Sequence, residues 1–250
     1  MRIEEAAKRM TKHYLGRVLD SFTKDLGKFD EEQARDYITR NSEELAKREN
    51  VHRRLDLFDV EHSTRVLIFF VLETLLNTPE CALEDNELVE RIQKREQALI
   101  DEAESDEALQ YANDQHIDIF RTVLEVAFDD DQISREEYSL LERLRAKLQI
   151  TRKQQRIIEA QLDAFPKTGG ELHTHSDVKD ALSHLQKQGI VFYCNRAEDG
   201  RSVVLPDELQ DGVKEVVDIE LSDKARELLW MNLKNSHLSD ILRDQNLPAY

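Results

Sequence analysis

The sequence predicts a mainly α-helical protein, a helical bundle followed by a smaller mixed module that carries one β-hairpin. Three observations lead there. Only 7 Gly and 4 Pro occur in 250 residues, which leaves few tight turns and favours long helices over a many-stranded sheet. Apolar residues recur at i, i+3 and i+4 along most of the chain, the period of a helix with one buried face. The pattern gives way to strand-like runs at Ile190-Val191-Phe192-Tyr193-Cys194 and Ser202-Val203-Val204-Leu205. Between them stands Ala197-Glu198-Asp199-Gly200, whose Asp-Gly suits a hairpin turn.

In the first fifty residues, Ile3, Ala6, Ala7, Met10, Tyr14, Val18 and Phe22 form one helical stripe. Leu26-Gly27-Lys28-Phe29-Asp30 breaks it. Asp30 with Gln33 reads as an N-cap and its N3 partner, opening a second helix through Ala34, Tyr37, Ile38 and Leu45. Val51–Phe58 reads as a basic connection containing Arg53 and Arg54. A helix from about Val60 to Asn77 is apolar on nearly every side through Val66–Leu76, so it belongs at the centre of the bundle. Pro79 stops it. From Pro79 to Asp118 the chain holds 13 Asp/Glu against 3 Lys/Arg, and DEAESDEALQYANDQ reads as an exposed helix or an acidic connector.

Ile117, Phe120, Val123, Leu124 and Ala127 then mark a helix. After Phe128-Asp129-Asp130-Asp131-Gln132-Ile133-Ser134, a second helix carries Leu140, Leu141, Leu144 and Leu148. Ile150-Thr151 opens a third through Gln155, Ile158 and Leu162. Phe165-Pro166-Lys167-Thr168-Gly169-Gly170 is the clearest break. Beyond it Ser176 is expected to cap a helix with Val178, Ala181, Leu182 and Leu185 inward, ended by Gly189. Pro206 closes the hairpin. Helices follow at Asp207–Val217, Ser222–Leu233 and Ser236–Gln245. Trp230 reads as a core or subdomain anchor. The expected division is 1–116, a helical bundle with its acidic connector; 117–168, a helical segment; and 169–250, the hairpin module with its closing helices.

The charge is uneven. The chain has a net charge of −17. Residues 1–55 hold 13 Lys/Arg and 11 Asp/Glu, about +2, so the rest carries about −19. Most of such a surface repels nucleic acid, and any DNA contact must come from a local patch. Cys81 and Cys194 have no pairing logic, which suits a cytosolic protein. The longest apolar run, Val66–Leu72, falls well short of the roughly 20 residues that span a bilayer. The expectation is a cytoplasmic protein with no membrane partner.

Three stretches invite a functional reading. Glu171-Leu172-His173-Thr174-His175-Ser176-Asp177 resembles the opening motif of the polymerase-and-histidinol-phosphatase hydrolases, in which a strand-borne His-x-His supplies metal ligands. That chemistry needs several more ligands from other strands, and only His184 and His237 follow. The alternative is a short strand between the two His, with Ser176 as N-cap. The turn at Asp129–Asp131 suggests a calcium loop. Placing Ile133 eighth and Glu137 twelfth puts Val126 first, Phe128 third and Asp131 at the glycine position, so the register excludes it. The same region, Ala127, Asp130, Ile133, Glu137, Leu141, Leu144, Leu148 and Ile150, resembles the tellurite-resistance TerB-like helical family over about 117–163. Asp131 stands where that family has Gly, which counts against an inherited metal site. The alternative is an acidic turn between helices whose Ile plugs the core.

Residues 171–205, with DALSHLQKQGIVFY at their centre, resemble the second half of a winged helix. That resemblance implies a helix facing DNA and a hairpin wing reaching phosphate. The nucleic-acid contacts it would offer are Lys179, Lys187, Arg196 and Arg201. Asp177 and Asp180 lie on the same helix and oppose phosphate, which favours the protein-docking use of such modules.

The chain contains no Gly-x-x-x-x-Gly-Lys, Gly-x-Gly-x-x-Gly or Gly-x-Ser-x-Gly. The expectation is a non-enzyme with no catalytic residue, cofactor or metal. It is read as an interaction or regulatory protein docking on a protein partner within a DNA-handling complex, similar in build to winged-helix accessory subunits of prokaryotic chromosome-organising complexes. The competing readings are a winged-helix transcription regulator and, third, a metal hydrolase using His173 and His175. Oligomeric state is not legible in the sequence.

Overall fold

The computed structural model describes residues 1–20, 30–55, 57, 60–105, 109, 113–128, 133–195 and 201–217. The break expected at 26–29, the acidic turn at 129–132, the hairpin tip with Arg196, the two last helices and Trp230 lie outside them. The described part is mainly helical with a small antiparallel sheet, as its composition predicts.

The first stripe is two helices, α1 (Ile3–Arg9) and α2 (Lys12–Asp20), because Met10 is extended at φ −82°, ψ 145°. Arg35 supports the break. Its guanidinium donates to the carbonyls of Ala7 (3.2 Å) and Met10 (2.9 Å), the last acceptors of α1. Cations suit a helix C-terminus for this reason. Asp30 caps α3 (Glu31–Arg40) in a capping box with Gln33, as expected. Leu45 falls in a separate short helix, α4 (Ser42–Ala46).

The expected basic connection is instead largely helical. α5 spans Arg48–Arg54, and Arg54 is buried. It donates to the carbonyls of Asn50, Leu45, Gln188 and Gly189. Burial, with Arg53 adding to it, lowers the Arg54 pKa to about 10, so it stays charged at neutral pH. It thus neutralises carbonyl ends of two helical segments from inside the protein.

α6 (His62–Leu76) is the expected central helix, with ten consecutive or near-consecutive buried positions from Arg65 to Leu75. It packs against α7, α11 and α12, whose spans are Asp85–Ala103, His175–Lys187 and Asp207–Val217. Arg65 is fully inside. It donates to the carbonyls of Leu57 and Val60 and lies 3.8 Å from the centre of the Tyr138 ring.

Between α6 and α7 runs a strand the sequence reading lacks, β1 (Ala82–Glu84). The expected hairpin is present as β2 (Phe192–Asn195) and β3 (Arg201–Val204). Sheet order is β1-β3-β2, all antiparallel, with Leu83 opposite Val203 and Tyr193 opposite Val203 on its other side. Contacts therefore run across residue 169, since β1 pairs with β3 and α11 packs on α6.

The remaining helices, α8 (Asp114–Ala127), α9 (Arg135–Lys147) and α10 (Arg152–Gln161), share their own core. It consists of Ile117, Phe120, Leu124, Ala127, Leu141, Ile150 and Ile158, and Ile133 packs against it. Leu140, expected in that stripe, is 57% exposed. One residue along a helix turns the side chain by about 100°, and Leu141 takes the inward position.

Candidate functional site

α11 begins two residues earlier than the sequence suggests. Thr174, not Ser176, is its N-cap. The Thr174 hydroxyl accepts from the Asp177 amide, and the Asp177 carboxylate accepts from the Thr174 amide at 2.7 Å. Asp177 is thereby tied to the helix start. Burial works to raise its pKa, but the Thr174 bonds and Lys167 outweigh this and lower it. Val178, Ala181, Leu182 and Leu185 are buried as expected. Gly189 follows the helix at φ 63°, a left-handed conformation that glycine adopts without strain.

The opposite side carries Lys179, Ser183 and Lys187 at four-residue spacing, so they lie along one stripe. Both lysines are exposed. Ser183 between them is not free. Arg17 of α2 donates to its Oγ at 3.2 Å and to Gln186 Oε1 at 3.4 Å. α2 also reaches the hairpin. Tyr14 stacks on Tyr193 with centroids 4.9 Å apart and planes 18° apart. The exposed Arg201 donates to the Tyr14 hydroxyl at 3.3 Å and sits 5.9 Å from its ring centre. Burial above all, then the nearby Asp85 and Tyr14, raises the Tyr193 pKa, so its hydroxyl stays protonated.

Lys179 and Arg201 both influence one acid. Asp85, at the start of α7, has its pKa raised by burial, while His175, Lys179 and Arg201 pull it down. Its Oδ1 is buried with no hydrogen-bond partner among the described residues. Of the four expected nucleic-acid contacts, Lys179 and Arg201 both act on the charge of Asp85. Lys187 stands at the far end of the helix, beside His184, whose pKa is lowered by burial and then by Lys187. Arg196 lies outside the described residues.

The two His of the His-x-His motif part company. His173 is buried, and residues 171–174 are not a strand. The side chains of α7 take the place of a strand partner. The His173 amide donates to Glu96 Oε2 at 3.1 Å, and Gln93 Nε2 donates to the His173 carbonyl at 2.8 Å. His173 Nδ1 bonds the other Glu96 oxygen, and Glu96 is fully buried. His175 is the first residue of α11, on the Asp85 side. Among the described residues, no group of three or more His, Cys, Asp or Glu could hold a metal ion. Cys81 and Cys194 are free and buried, and burial raises both thiol pKa values, that of Cys194 to about 11.

No protein-family model, curated protein or solved structure matches this chain. The surface must therefore be read from its own chemistry. What the sequence reading missed is that α2 covers α11. Tyr14 was legible as a stripe residue, but nothing local in the sequence points Arg17 at Ser183.

Proposed function

We propose that the chain is a non-enzymatic interaction or regulatory protein that docks on a protein partner through α11 and the hairpin. The observation that carries this is α2 bonded to the middle of the Lys179–Ser183–Lys187 stripe. A B-DNA major groove is about 12 Å wide, and one helix with its side chains already fills about 10–12 Å. A helix with a second helix bonded to its outer face does not enter it.

We read the path α6–β1–α7–α11–β2–β3 as winged-helix-like, with α8–α10 as a TerB-like insertion between α7 and α11. The sheet order β1-β3-β2 supports this, and the DNA-handling setting rests on that likeness. Among the described residues no helix is long and apolar enough to cross a membrane.

The test is an affinity pull-down from a nuclease-treated and an untreated lysate, beside a titration of labelled duplex DNA with the wild type and a Lys179→Glu/Lys187→Glu/Arg201→Glu variant. A partner protein retained after nuclease, with duplex affinity unchanged in the variant, is the expected result. Loss of the partner with nuclease and a tenfold or greater fall in duplex affinity, about 1.4 kcal/mol, would replace this reading with direct DNA binding.

A further inference from the structure

Between α6, α7 and α10 lies a cleft of about 320 Å³, within the range of small-molecule sites, which begins near 300 Å³. Phe70, Ala98 and Leu99 supply apolar lining. Arg95, Arg152, Lys153 and Arg156 supply four cations against two acids, Glu73 and Glu102, in a chain whose net charge is −17.

The start of α10 is electrostatically inverted. The first turn of a helix favours acids, because its free amides carry partial positive charge. α3, α7, α9 and α12 follow that rule, with acidic pairs in their first turns. α10 has no acid there and opens with Arg152 and Lys153. Its capping box engages the amides of Gln154 and Thr151, not those of Arg152 and Lys153. Two side-chain cations and the positive end of a helix thus meet at the rim of an apolar cleft, an arrangement that an anion relieves.

Each cation already has an acid nearby, and the pairs differ in how firmly they hold. Arg156 pairs with the buried Glu159 at 2.7 Å, and Arg152 with Glu142 at 2.6 Å. Neither acid lines the cleft. Arg152 Nε is also buried with no hydrogen-bond partner among the described residues. Arg95 pairs with Glu73 and lies 4.7 Å from the centre of the Phe70 ring. Lys153 meets Glu102 at 2.7 Å, but these side chains are 61% and 36% exposed, so water competes for the pair. That is the contact an incoming anion displaces most easily.

We propose that this cleft binds a small amphipathic anion. Its alkyl or aryl body lies against Phe70, Ala98 and Leu99, and its carboxylate or phosphate head replaces Glu102 at Lys153 and the start of α10. The proposal is independent of the docking role.

Calorimetric titration of the full chain with octanoate, octyl phosphate and octanol tests it. Octanoate or octyl phosphate should saturate at one per chain, with octanol at least about tenfold weaker. A preference for one head supports the proposal and assigns the source, a free acid or a phosphate ester. Lys153→Glu should weaken anion binding about tenfold or more. Lys153→Gln, which adds no like charge, should weaken it too. Leu99→Trp, at a half-exposed position, should fill the cleft and abolish binding. The proposal is overturned if neither anion gives saturable heat, if octanol binds as well as octanoate, or if Lys153→Gln and Leu99→Trp bind like the wild type.

Discussion

His173 and Glu96 are joined twice across the fold. The imidazole Nδ1 and the backbone amide of His173 engage the two oxygens of one fully buried carboxylate, on a helix more than seventy positions earlier in the chain. A carboxylate removed from water needs its lone pairs occupied. His173 supplies both contacts, and the same geometry anchors the loop that delivers α11. This histidine is a clamp between α7 and the loop before α11.

Replacing Glu96 with Ala leaves a buried imidazole and an amide without their acceptor, and should cost about 3 kcal/mol. Glu96→Gln, which can still accept one bond, should cost less. Urea unfolding followed by circular dichroism reads both, and a Glu96→Ala loss below about 0.5 kcal/mol, the range of ordinary surface substitutions, would show that this clamp holds little.

Glu159 ties stability to pH. Burial pushes its pKa up, but Arg156 and His62 more than offset this and hold it at about 2, below the ordinary 4.5. A folded-state pKa below the unfolded one gives stability that is complete above pH 4.5 and is lost as pH falls towards 2. The shift corresponds to about 3 kcal/mol. Glu159→Gln should therefore unfold more easily at pH 7 and lose part of the wild type's decline in stability between pH 4.5 and 2. Parallel decline in the two proteins across that interval would contradict the assignment.

Gly212 should resist substitution. In most mid-helix positions Gly→Ala gains up to about 1 kcal/mol. Here a Cβ would lie 3.0 Å from Val51 Cβ and 3.1 and 3.2 Å from its methyls. Val51 is fully buried, and its β-branched side chain has little freedom to turn aside. Gly212→Ala should destabilise by about 1–2 kcal/mol. Combined with Val51→Ala it should cost less than the sum of the two single changes, a coupling that thermal unfolding of all three variants resolves.

How much was legible follows from how local each signal is. Asp30 with Gln33, Gly189 after α11, and the inward faces of α8 and α11 depend on residues a few positions apart, and the structure keeps them. β1 is three residues long, too short to show alternation, and it pairs with β3, from the other end of the described chain. Arg54 and Arg65 look like surface charge because their acceptors are backbone carbonyls, which carry no sequence signature. Lys179, Lys187 and Arg201 are exposed cations, as expected of lone charges on helix and strand surfaces. What surrounds them, Asp85 and α2, is a tertiary arrangement that no spacing rule contains.

The closure of α11 by α2 can itself be measured. Tyr14 joins α2 to the hairpin through its stack on Tyr193 and its contact with Arg201, and Tyr193 is nearly buried beneath it. An aromatic pair contributes about 0.5–1.5 kcal/mol beyond its buried area, and an exposed cation over a ring about 0.5–1 kcal/mol. Tyr14→Ala should thus cost about 2 kcal/mol, counting also the apolar area exposed. Tyr14→Phe keeps the ring and loses only a 3.3 Å contact at the surface, so it should stay close to wild type. The double change Tyr14→Ala/Arg201→Ala should cost less than the two single changes added together. A loss below about 0.5 kcal/mol for Tyr14→Ala, the range of ordinary surface substitutions, would mean that α2 is not held on the hairpin, and the argument against direct DNA reading by α11 would fall with it.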